Sequence, residues 1–460
     1  MYLVLLTLWA LPTGAPETPI GADGRRLPIV SPGPSLTLAD AMRAADERNL
    51  TLATTRVEID KARALLSQAQ ATLFPMLAGQ GLYTRNDHED TADLAGGLAP
   101  LLSTFGIALP PIPGMVIRRE QELRVGATAS LPIINLQGWI GISAARLGLE
   151  VVELTVANAR RQLLFGVAQA FWMAHVGHEL VAIQESQLQA ARHHLQVARA
   201  RVEAGDAMRI DVVRAETEVE KTYQDLLAAH LGLDNARDAL ATLIATKELP
   251  LPVEPPPLAA PGVFESSAIS SKRLDLQAAA AGARAADKSL QVSRMQLLPV
   301  LAVSGQYGYL FTEPPELGSQ DRSRWSAMLT LTVPIYNQLR YADLEQKRAA
   351  LRQAELRAAE LETSVELEVR KARRDYLAAL STATTAERQA ALTREALTLT
   401  EAAYENGAAT SLDVTDAQRN RQTAELNAAT QRLRGQMTLL ALLHAMGESP
   451  EALAAVDNVE

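Results

Sequence analysis

The sequence contains no cysteine, which excludes disulfide bonds, thiolate metal sites and cysteine nucleophiles. For the same reason we expect no lipid-modified cysteine near the N-terminus. Aromatic residues are also scarce, at 4% of the 460 residues, although 48% of the chain is hydrophobic, so apolar packing must come mainly from Ala, Leu and Val. The 44 basic residues are scattered among 53 acidic ones, for a net charge of −9, and we therefore expect no nucleic-acid partner.

Proline is missing from two long stretches, one between Pro132 and Pro250 and the other between Pro334 and Pro450. Both stretches are rich in Ala, Leu, Glu, Arg and Gln, which favour helices, whereas a proline inside a helix costs about 3 kcal/mol. The sequence thus predicts helices far longer than the average of about 11–12 residues. This pattern disfavours an ordinary compact enzyme.

Motifs of catalytic and cofactor chemistry are absent as well. The sequence has no glycine-rich phosphate loop, no HExxH zinc motif and no Gly-x-Ser-x-Gly nucleophile elbow. His175, His178 and Glu179 have the spacing of a helical metal site, but no further ligand converges on them in the sequence. We therefore expect no catalytic residues, no metal and no cofactor.

Long uncharged apolar runs are missing apart from one near the start, so no helix is expected to cross a bilayer. The exception, Tyr2–Leu11, is followed by small residues and resembles a secretory signal, although no Lys or Arg precedes it. We expect a signal peptide at residues 1–15 and an extended segment at residues 16–35.

An internal repeat is the most informative feature that is present. A five-residue stretch centred on Pro75 recurs around Pro299, 224 residues later, and a second stretch around Pro132 recurs around Pro334, 202 residues later. The difference of 22 residues indicates an insertion in the first copy, between these two stretches. The four prolines are the expected junctions between helices and strands.

The repeat predicts the organisation of the chain. The expected parts are repeat 1 at residues 36–247, a proline-rich linker at 248–263, repeat 2 at 264–447 and a C-terminal tail at 448–460. Each repeat contains a β-hairpin and a helix tip, expected at about 76–131 and 204–210 in the first copy and at about 300–333 and 405–411 in the second.

Apolar and polar residues alternate from Leu123 to Leu131 and from Trp325 to Val333, a period of two that is typical of strands with one apolar face. The partner strands are expected near Met76–Arg85 and Val300–Phe311. Strands of about 10 residues can cross a membrane when tilted. A soluble hairpin with one solvated face is the alternative.

The long helices are predicted at about Trp139–Glu203 and Leu339–Tyr404. The shorter ones are predicted at about Leu50–Phe74 and Ile210–Thr246 in the first copy and at about Leu274–Leu298 and Leu412–Met446 in the second. The second long helix has a seven-residue apolar seam, as in coiled coils. The seam comprises Leu344, Leu351, Ala358 and Val365, then Val369, Tyr376, Ala383, Ala390, Leu397 and Tyr404. Such a thin seam leaves no globular core, so the helices need lateral neighbours. Four strands cannot close a sheet in a membrane either, which predicts a trimer with twelve strands, although eight strands from a dimer would also close.

These linked features resemble the TolC-like outer-membrane efflux protein family over nearly all of residues 36–447. The resemblance rests on Leu-Thr-Leu-Ala-Asp-Ala at residues 36–41, on Asn49-Leu50, on the four junction prolines and on a Gly-x5-Asp-Val motif at each tip. It implies a mainly α fold with a small β part, in which a long antiparallel coiled-coil α-helical barrel is continuous with a transmembrane β-barrel of four strands per chain.

The resemblance also implies a location and partners. It implies a homotrimer in the bacterial outer membrane, in contact with outer-membrane lipid, with its helical barrel in the periplasm. The implied partners are a periplasmic adaptor, or membrane fusion protein, and through it an inner-membrane transporter.

Site residues follow from the same resemblance. Tyr404, Asp413 and Asp416 match the family's periplasmic constriction, where carboxylates form acidic rings and the tyrosine latches neighbouring coils, and Asp211 matches the latch partner in the first copy. Ala409 stands where some relatives carry the latch arginine. The tip turns that touch the adaptor match Ala204, Gly205, Asp206, Asn406, Gly407 and Ala408.

Simpler roles exist for several of these residues. Gly205 and Gly407 supply the left-handed turns that a helical hairpin needs. Asp211 and Asp413 lie in first helical turns, where the helix dipole favours a carboxylate, and Thr410 with Asp413 resembles a capping box.

The function expected from the sequence is an outer-membrane channel of a tripartite efflux or type I secretion system. It would be a passive exit duct driven by an inner-membrane pump, and not an enzyme. The alternatives are a soluble periplasmic coiled-coil scaffold with β-hairpin contact tips and an enzyme on a helical bundle.

Overall fold

The computed structural model describes residues 33–92, 104–106, 115–205, 207–253, 272–312 and 322–449. These residues form two compact units. Unit 1 comprises the described parts of Met1–Arg56, Val156–Leu274 and Glu362–Glu460, and unit 2 comprises those of Val57–Thr155 and Asp275–Leu361. The helices are α1 (Leu38–Arg48), α2 (Leu50–Ala71), α3 (Leu136–Ala204), α4 (Arg209–Leu243), α5 (Leu274–Met295), α6 (Gln338–Glu405) and α7 (Ser411–Met446). The strands are β1 (Ser35–Leu36), β2 (Met76–Arg85), β3 (Asp90–Ala92), β4 (Met115–Arg118), β5 (Gln121–Ile134), β6 (Leu251–Pro252), β7 (Val300–Leu310) and β8 (Ser323–Thr332).

The two long proline-free stretches are helical, as predicted, and α3 and α6 have 69 and 68 residues. The helices that precede the hairpins end three residues earlier than predicted. Their last residues form tighter turns, because Phe74 N–H donates to Ala71 O and Leu298 N–H donates to Met295 O. None of the helices in the described ranges has an apolar stretch long enough to cross a membrane.

The heptad seam predicted for α6 is confirmed, since all ten of its positions are buried or half-buried. Much of the rest of the helix is exposed. Near the middle of its second half, Ala386 and Ala390 pack against Ala424 and Ala428 of α7 in a cluster made only of alanine. Such small side chains let two helices approach closely.

The main apolar core belongs to unit 1 and forms around the short helix α1. Thr37 caps this helix, because its hydroxyl accepts a hydrogen bond from Asp40 N–H at 3.1 Å. The apolar residues of α1 recur with helical spacing and pack on α3, on the end of α4 and on α7. The core side chains of α1 are Leu38, Ala41, Met42 and Ala45, and their largest neighbours include Leu164, Phe165, Phe171, Trp172, Leu240 and Leu440.

A short parallel pair of strands, β1 and β6, was not predicted from the sequence. It is held by Arg237 of α4, whose side chain is fully buried. The Arg237 guanidinium donates to Pro250 O at 3.0 Å and to Leu249 O at 2.7 Å, just before β6. The proline-rich segment after α4 is therefore fixed to this helix where it begins.

Equivalent hydrogen bonds join the first and last helices of each repeat within unit 1. Asn49, just before α2, donates to Leu243 O at the end of α4 at 2.9 Å. Arg273, just before α5, donates to Ala445 O near the end of α7 at 2.9 Å. The donors are 224 positions apart and the acceptors 202, which are the two offsets of the sequence repeat.

The larger sheet belongs to unit 2 and has the antiparallel order β2-β5-β7-β8. The strand predicted at Met76–Arg85 has those bounds, and the other three predicted strands are also present. In the single chain the sheet is open, with β2 and β8 at its edges, and the described residues contain no closed barrel. The strands β3 and β4 form a separate small hairpin.

Three of the four junction prolines lie between a helix and a strand. Pro75 and Pro299 directly precede β2 and β7, and Pro334 lies between β8 and α6. Pro132 differs, because it lies inside β5, two residues before the strand ends, where the pairing with β7 shifts register. Proline has no N–H to donate, and an irregular position of this kind tolerates it.

We predict that Asn49→Ala loosens two helix ends at once. Asn49 Oδ1 also accepts a hydrogen bond from Leu52 N–H at 3.0 Å, so the alanine variant loses the cap of α2 together with the contact to Leu243. A loss of about 1–2 kcal/mol is expected. Hydrogen–deuterium exchange should increase at the start of α2 and in the last turn of α4.

Asn49→Ser separates the two effects, because serine caps a helix but is too short to reach Leu243. Exchange should then increase only in the last turn of α4. Equal exchange in this turn for both variants and the wild type would contradict the closing role of Asn49.

Candidate functional site

The two helix tips of unit 1 are built around glycines. Gly205 follows α3 with φ +86° and Gly407 follows α6 with φ +75°, a conformation that favours glycine. The described tip residues Ala204, Gly205, Asn406, Gly407 and Ala408 are all exposed, and Asp206 lies outside the described residues. The tips therefore present short side chains and backbone to whatever approaches them.

Each returning helix starts with an aspartate that accepts backbone hydrogen bonds. The Asp413 carboxylate accepts from the N–H and the hydroxyl of Thr410, both at 2.7 Å, and these bonds lower its pKa. In the first tip, Asp211 accepts from Met208 N–H at 3.2 Å. Both residues thus have the structural role that the helix starts require.

Asp416 has no such role. It is exposed, and no hydrogen bond or ion pair within the described part of the chain involves its carboxylate. Asp416 lies three residues after Asp413, in the second turn of α7. Both carboxylates are therefore near the tip.

Tyr404 connects the second tip to the first. Only 8% of this residue is exposed. The Arg201 guanidinium of α3 lies 3.9 Å above the centre of its ring and donates to Tyr404 O at 3.0 Å. The His194 ring lies 6.1 Å from the same ring, and His194 Nε2 is 3.4 Å from the Ser411 hydroxyl.

Sequence reasoning missed Arg201 and His194. Their spacing on α3 carries no motif, because each acts on a residue about 200 positions away. The only available signal was a basic residue one turn before Gly205, where a cation is favoured at the end of a helix.

A polar layer joins the helices behind the tips. We use this term for the buried Glu218 and the glutamines near it on α3 and α7. Arg419 of α7 donates twice to Glu218 of α4, at 3.0 and 2.9 Å. Gln422 donates to Gln184 at 3.3 Å. These helices are therefore held together largely by hydrogen bonds in this region.

A cavity of about 620 Å³ lies between α3, α6 and α7. Its floor includes alanines, and its charged residues are paired with each other. Arg432 is 3.3 Å from Glu179 and 3.5 Å from Glu387, and Arg394 is 3.0 Å from Glu425. The described residues contain no group of three or more His, Asp or Glu that could hold a metal ion.

The sheet of unit 2 has two chemically different faces, which its register defines. In antiparallel pairs, residues directly opposite each other share a face. One face, here called the apolar face, carries Leu77, Tyr83, Leu123, Val125, Ala127, Ala129, Leu131, Val303, Tyr307, Tyr309, Trp325, Ala327, Leu329 and Leu331. The opposite face, here called the polar face, carries mainly polar side chains, namely Gln80, Thr84, Glu122, Arg124, Thr128, Ser130, Ser304, Gln306, Arg324, Ser326, Thr330 and Thr332, together with the apolar Met76, Leu82, Leu310 and Met328.

The apolar face is largely uncovered, with Trp325 and Leu77 each 77% exposed. Exposed aromatic residues lie at both ends of the sheet in unit 2. Tyr83, Tyr307, Phe311 and Trp325 lie toward the loops, and Phe74, Trp139, Tyr336 and Tyr341 lie toward the helices. Aromatic residues at the two limits of an apolar band are typical of strands that cross an outer membrane.

Comparisons with known proteins agree with this geometry. A family model described as "Outer membrane efflux protein" matches residues 41–246 and 266–448. The outer membrane protein OprJ of Pseudomonas aeruginosa is 26% identical, over 87% of this chain and 82% of OprJ. The outer membrane protein TolC of Vibrio cholerae is 22% identical, over 73% of this chain and 78% of TolC. The solved open state of the Neisseria gonorrhoeae MtrE outer membrane channel has the same fold, with a TM-score of 0.72 and 22% identity over 90% of this chain and 89% of MtrE.

We predict that acidification loosens the contact between the tips through His194. Burial lowers the pKa of His194 below its ordinary 6.5; nearby Glu401 and Asp211 raise this pKa, and His193 and Arg201 lower it. The separated state binds the proton more readily than the packed one, so the packed tip loses stability as the pH falls below about 6.5. Exchange at residues 404–411, corrected for its intrinsic pH dependence, should increase between about pH 7.5 and 5.5.

His194→Gln should remove this pH response, because glutamine does not titrate in this range. His193→Gln is the matched control, since His193 is the exposed neighbour on the same helix, and it should leave the response intact. A response that is the same in both variants would show that His194 is not its origin.

Proposed function

Because the chain belongs to the outer membrane efflux protein family, we propose that it forms a trimeric exit duct in the bacterial outer membrane. An inner-membrane transporter supplies the energy and a periplasmic adaptor connects it to the duct, which is itself passive and not an enzyme. The sheet of unit 2 contributes four of twelve strands to a closed transmembrane barrel. The long helices form a helical barrel in the periplasm, and the exposed tip turns contact the adaptor.

The two-faced sheet with open edges is the observation that carries this proposal. Strands of 10–11 residues, such as β7 and β8, are about 33 Å long and span about 25 Å when tilted by about 40°. That distance matches the apolar band of an outer-membrane barrel. The uncovered apolar face suits lipid, and the polar face suits a water-filled lumen.

The two unpaired edge strands of the sheet also favour an oligomer. Each backbone group left unpaired in hydrocarbon costs several kcal/mol, so β2 and β8 must find partner strands. Three copies supply twelve strands. A soluble scaffold would instead leave the leucines and Trp325 of the apolar face in water, which disfavours that alternative.

We propose further that Asp413 and Asp416 form the acidic constriction at the narrow end, with Tyr404 and Asp211 beside it. Both carboxylates are exposed, and three symmetry-related copies would concentrate cations there. Ala409 does not supply the latch arginine, and the cation that contacts Tyr404 is Arg201 of the same chain.

The test is conductance of the detergent-purified protein in planar lipid bilayers. The wild type should insert as a trimer and conduct, with cation-selective current that divalent cations block. Asp416→Asn should weaken the divalent block about tenfold or more, because it removes three charges from one ring. Asp413→Asn should weaken it too while keeping an acceptor for Thr410.

Asp60→Asn is the control, since Asp60 is an exposed acid on α2, far along the chain from the tips. It should leave block and current unchanged. If divalent cations block the current of Asp413→Asn and of Asp416→Asn as strongly as that of the wild type, the acidic constriction is excluded. A wild-type protein that washes from membranes without detergent and never conducts would favour the scaffold.

A further inference from the structure

The two hairpins of the sheet in unit 2 have the same register. Met76 of β2 lies opposite Ser130 of β5, and Val300 of β7 lies opposite Thr332 of β8. The second pair follows from the first when the two repeat offsets, 224 and 202, are added to its residues. We call residues that are related by these offsets counterparts. The repeat therefore relates residue contacts as well as sequences.

The seam between the two hairpins, where β5 pairs with β7, has no counterpart among the described strand pairs of this chain. In this seam Thr128 lies opposite Gln306. Their counterparts are Thr330 of β8 and Leu82 of β2, but these strands are the two open edges of the sheet. All of β8 is exposed and β2 nearly so, whereas most of β7 is half-buried. The edge strands thus lack the neighbour that the inner strands have.

A second copy of the chain would supply this neighbour in a definite register. Ala127 lies opposite Tyr307 in the seam. Their counterparts, Leu329 and Tyr83, both lie on the apolar face. A slip of one residue would join the polar face of one copy to the apolar face of the next. The register that the repeat gives therefore keeps both faces continuous between copies.

The helices of unit 2 show the same missing neighbour. Most of α5 is half-buried, and its Arg284 pairs with Glu150 of α3 at 2.8 Å. The part of α2 in unit 2 is the counterpart of α5, yet it is mostly exposed. The counterparts of Arg284 and Glu150 are Asp60 of α2 and Arg352 of α6. The two charges are exchanged but are still opposite.

Asp60 and Arg352 each contact a neighbour on their own helix as well. Asp60 is 3.4 Å from Arg63, and Arg352 is 3.5 Å from Glu355. Exposed pairs of this kind contribute little to stability and do not fix their side chains. A carboxylate has two oxygens and a guanidinium has five N–H groups, so each can bind a second partner.

We propose that copies of this chain join through these edges, with β8 of one copy antiparallel to β2 of the next, Thr330 opposite Leu82, and Arg352 paired with Asp60. The proposal rests on the proposed function, because it takes the closed trimer as given and assigns the residues that meet at each junction. Strand pairing supplies most of the stability of a junction. Because an exposed ion pair contributes little, Asp60→Asn leaves the assembled channel intact.

The first experiment is disulfide cross-linking, for which the cysteine-free chain gives no background. Oxidation of detergent-purified Leu82→Cys/Thr330→Cys should form covalent dimers and trimers. Within one chain the two positions are three strand spacings, or about 14 Å, apart along the sheet, so a bridge must join two copies. Leu82→Cys/Met328→Cys and Leu82→Cys/Thr332→Cys are the matched controls. They should cross-link at least fivefold less, because diagonal neighbours on one face are about 7–8 Å apart.

Under reducing conditions each cysteine variant should conduct like the wild type, which shows that it assembles. Cross-linking that is equal in the three variants, or stronger in a control, would overturn the register. If none of the conducting variants cross-links, the junction itself is wrong. A wild type that forms neither trimers nor channels would instead contradict the proposed function.

The second experiment exchanges the charges of the ion pair. Arg352→Asp and Asp60→Arg each bring like charges together, so each should release about threefold more monomer than the wild type on heating in detergent at low salt. The double variant restores opposite charges and should return the monomer fraction close to that of the wild type. A double variant that releases as much monomer as the two single variants together would contradict this pairing.

Discussion

A helix whose buried seam has only one residue in every seven buries little apolar area against any single neighbour, and this constraint governs much of the molecule. In α6 the ten seam residues are buried or half-buried, yet Leu356, Leu367 and Leu399 on its other faces are more than half exposed. Alanine in the seam brings helices close together but contributes little buried area. Stability must then come from a few concentrated places. In unit 1 these are the core around α1 and the closing contacts of Asn49 and Arg273.

The helices of unit 1 are held together by different interactions around α1 and near the tips. Around α1 the contacts are apolar, and separating them would expose Phe171, Leu240 and Leu440 to water. Near the tips, Glu218 with Arg419 and Arg201 with Tyr404 hold the helices through hydrogen bonds and charge. Hydrogen bonds to charged groups contribute about 1.5–3 kcal/mol each. The tip contacts therefore depend on specific partners and not on the amount of apolar surface that they bury.

Sequence periodicity and proline spacing were sufficient to predict the long helices, the four main strands and the α6 seam, because these features depend on the local conformational preferences of the residues. The bulged end of β5 was missed, since Pro132 was interpreted as a boundary and not as an irregular strand position. The candidate site was predicted less completely. The contact of Asp413 with Thr410 is local and was predicted as a capping box. The partners of Tyr404 could not be predicted, because Arg201 and His194 meet it only after the two halves fold together. Contacts across 200 positions leave no periodic trace.

The small strand pair β1–β6 has a consequence for the timing of folding. It joins Ser35 to Leu251, more than two hundred residues later, and Arg237 holds it only when α4 is already formed. A chain made from its N-terminus onward can fold α3 and α4 as a local hairpin first, because short loops close faster than long ones. The β1–β6 pairing must wait until the whole first half exists. The β1–β6 pair is thus a late step of folding, although each of its strands has only two residues.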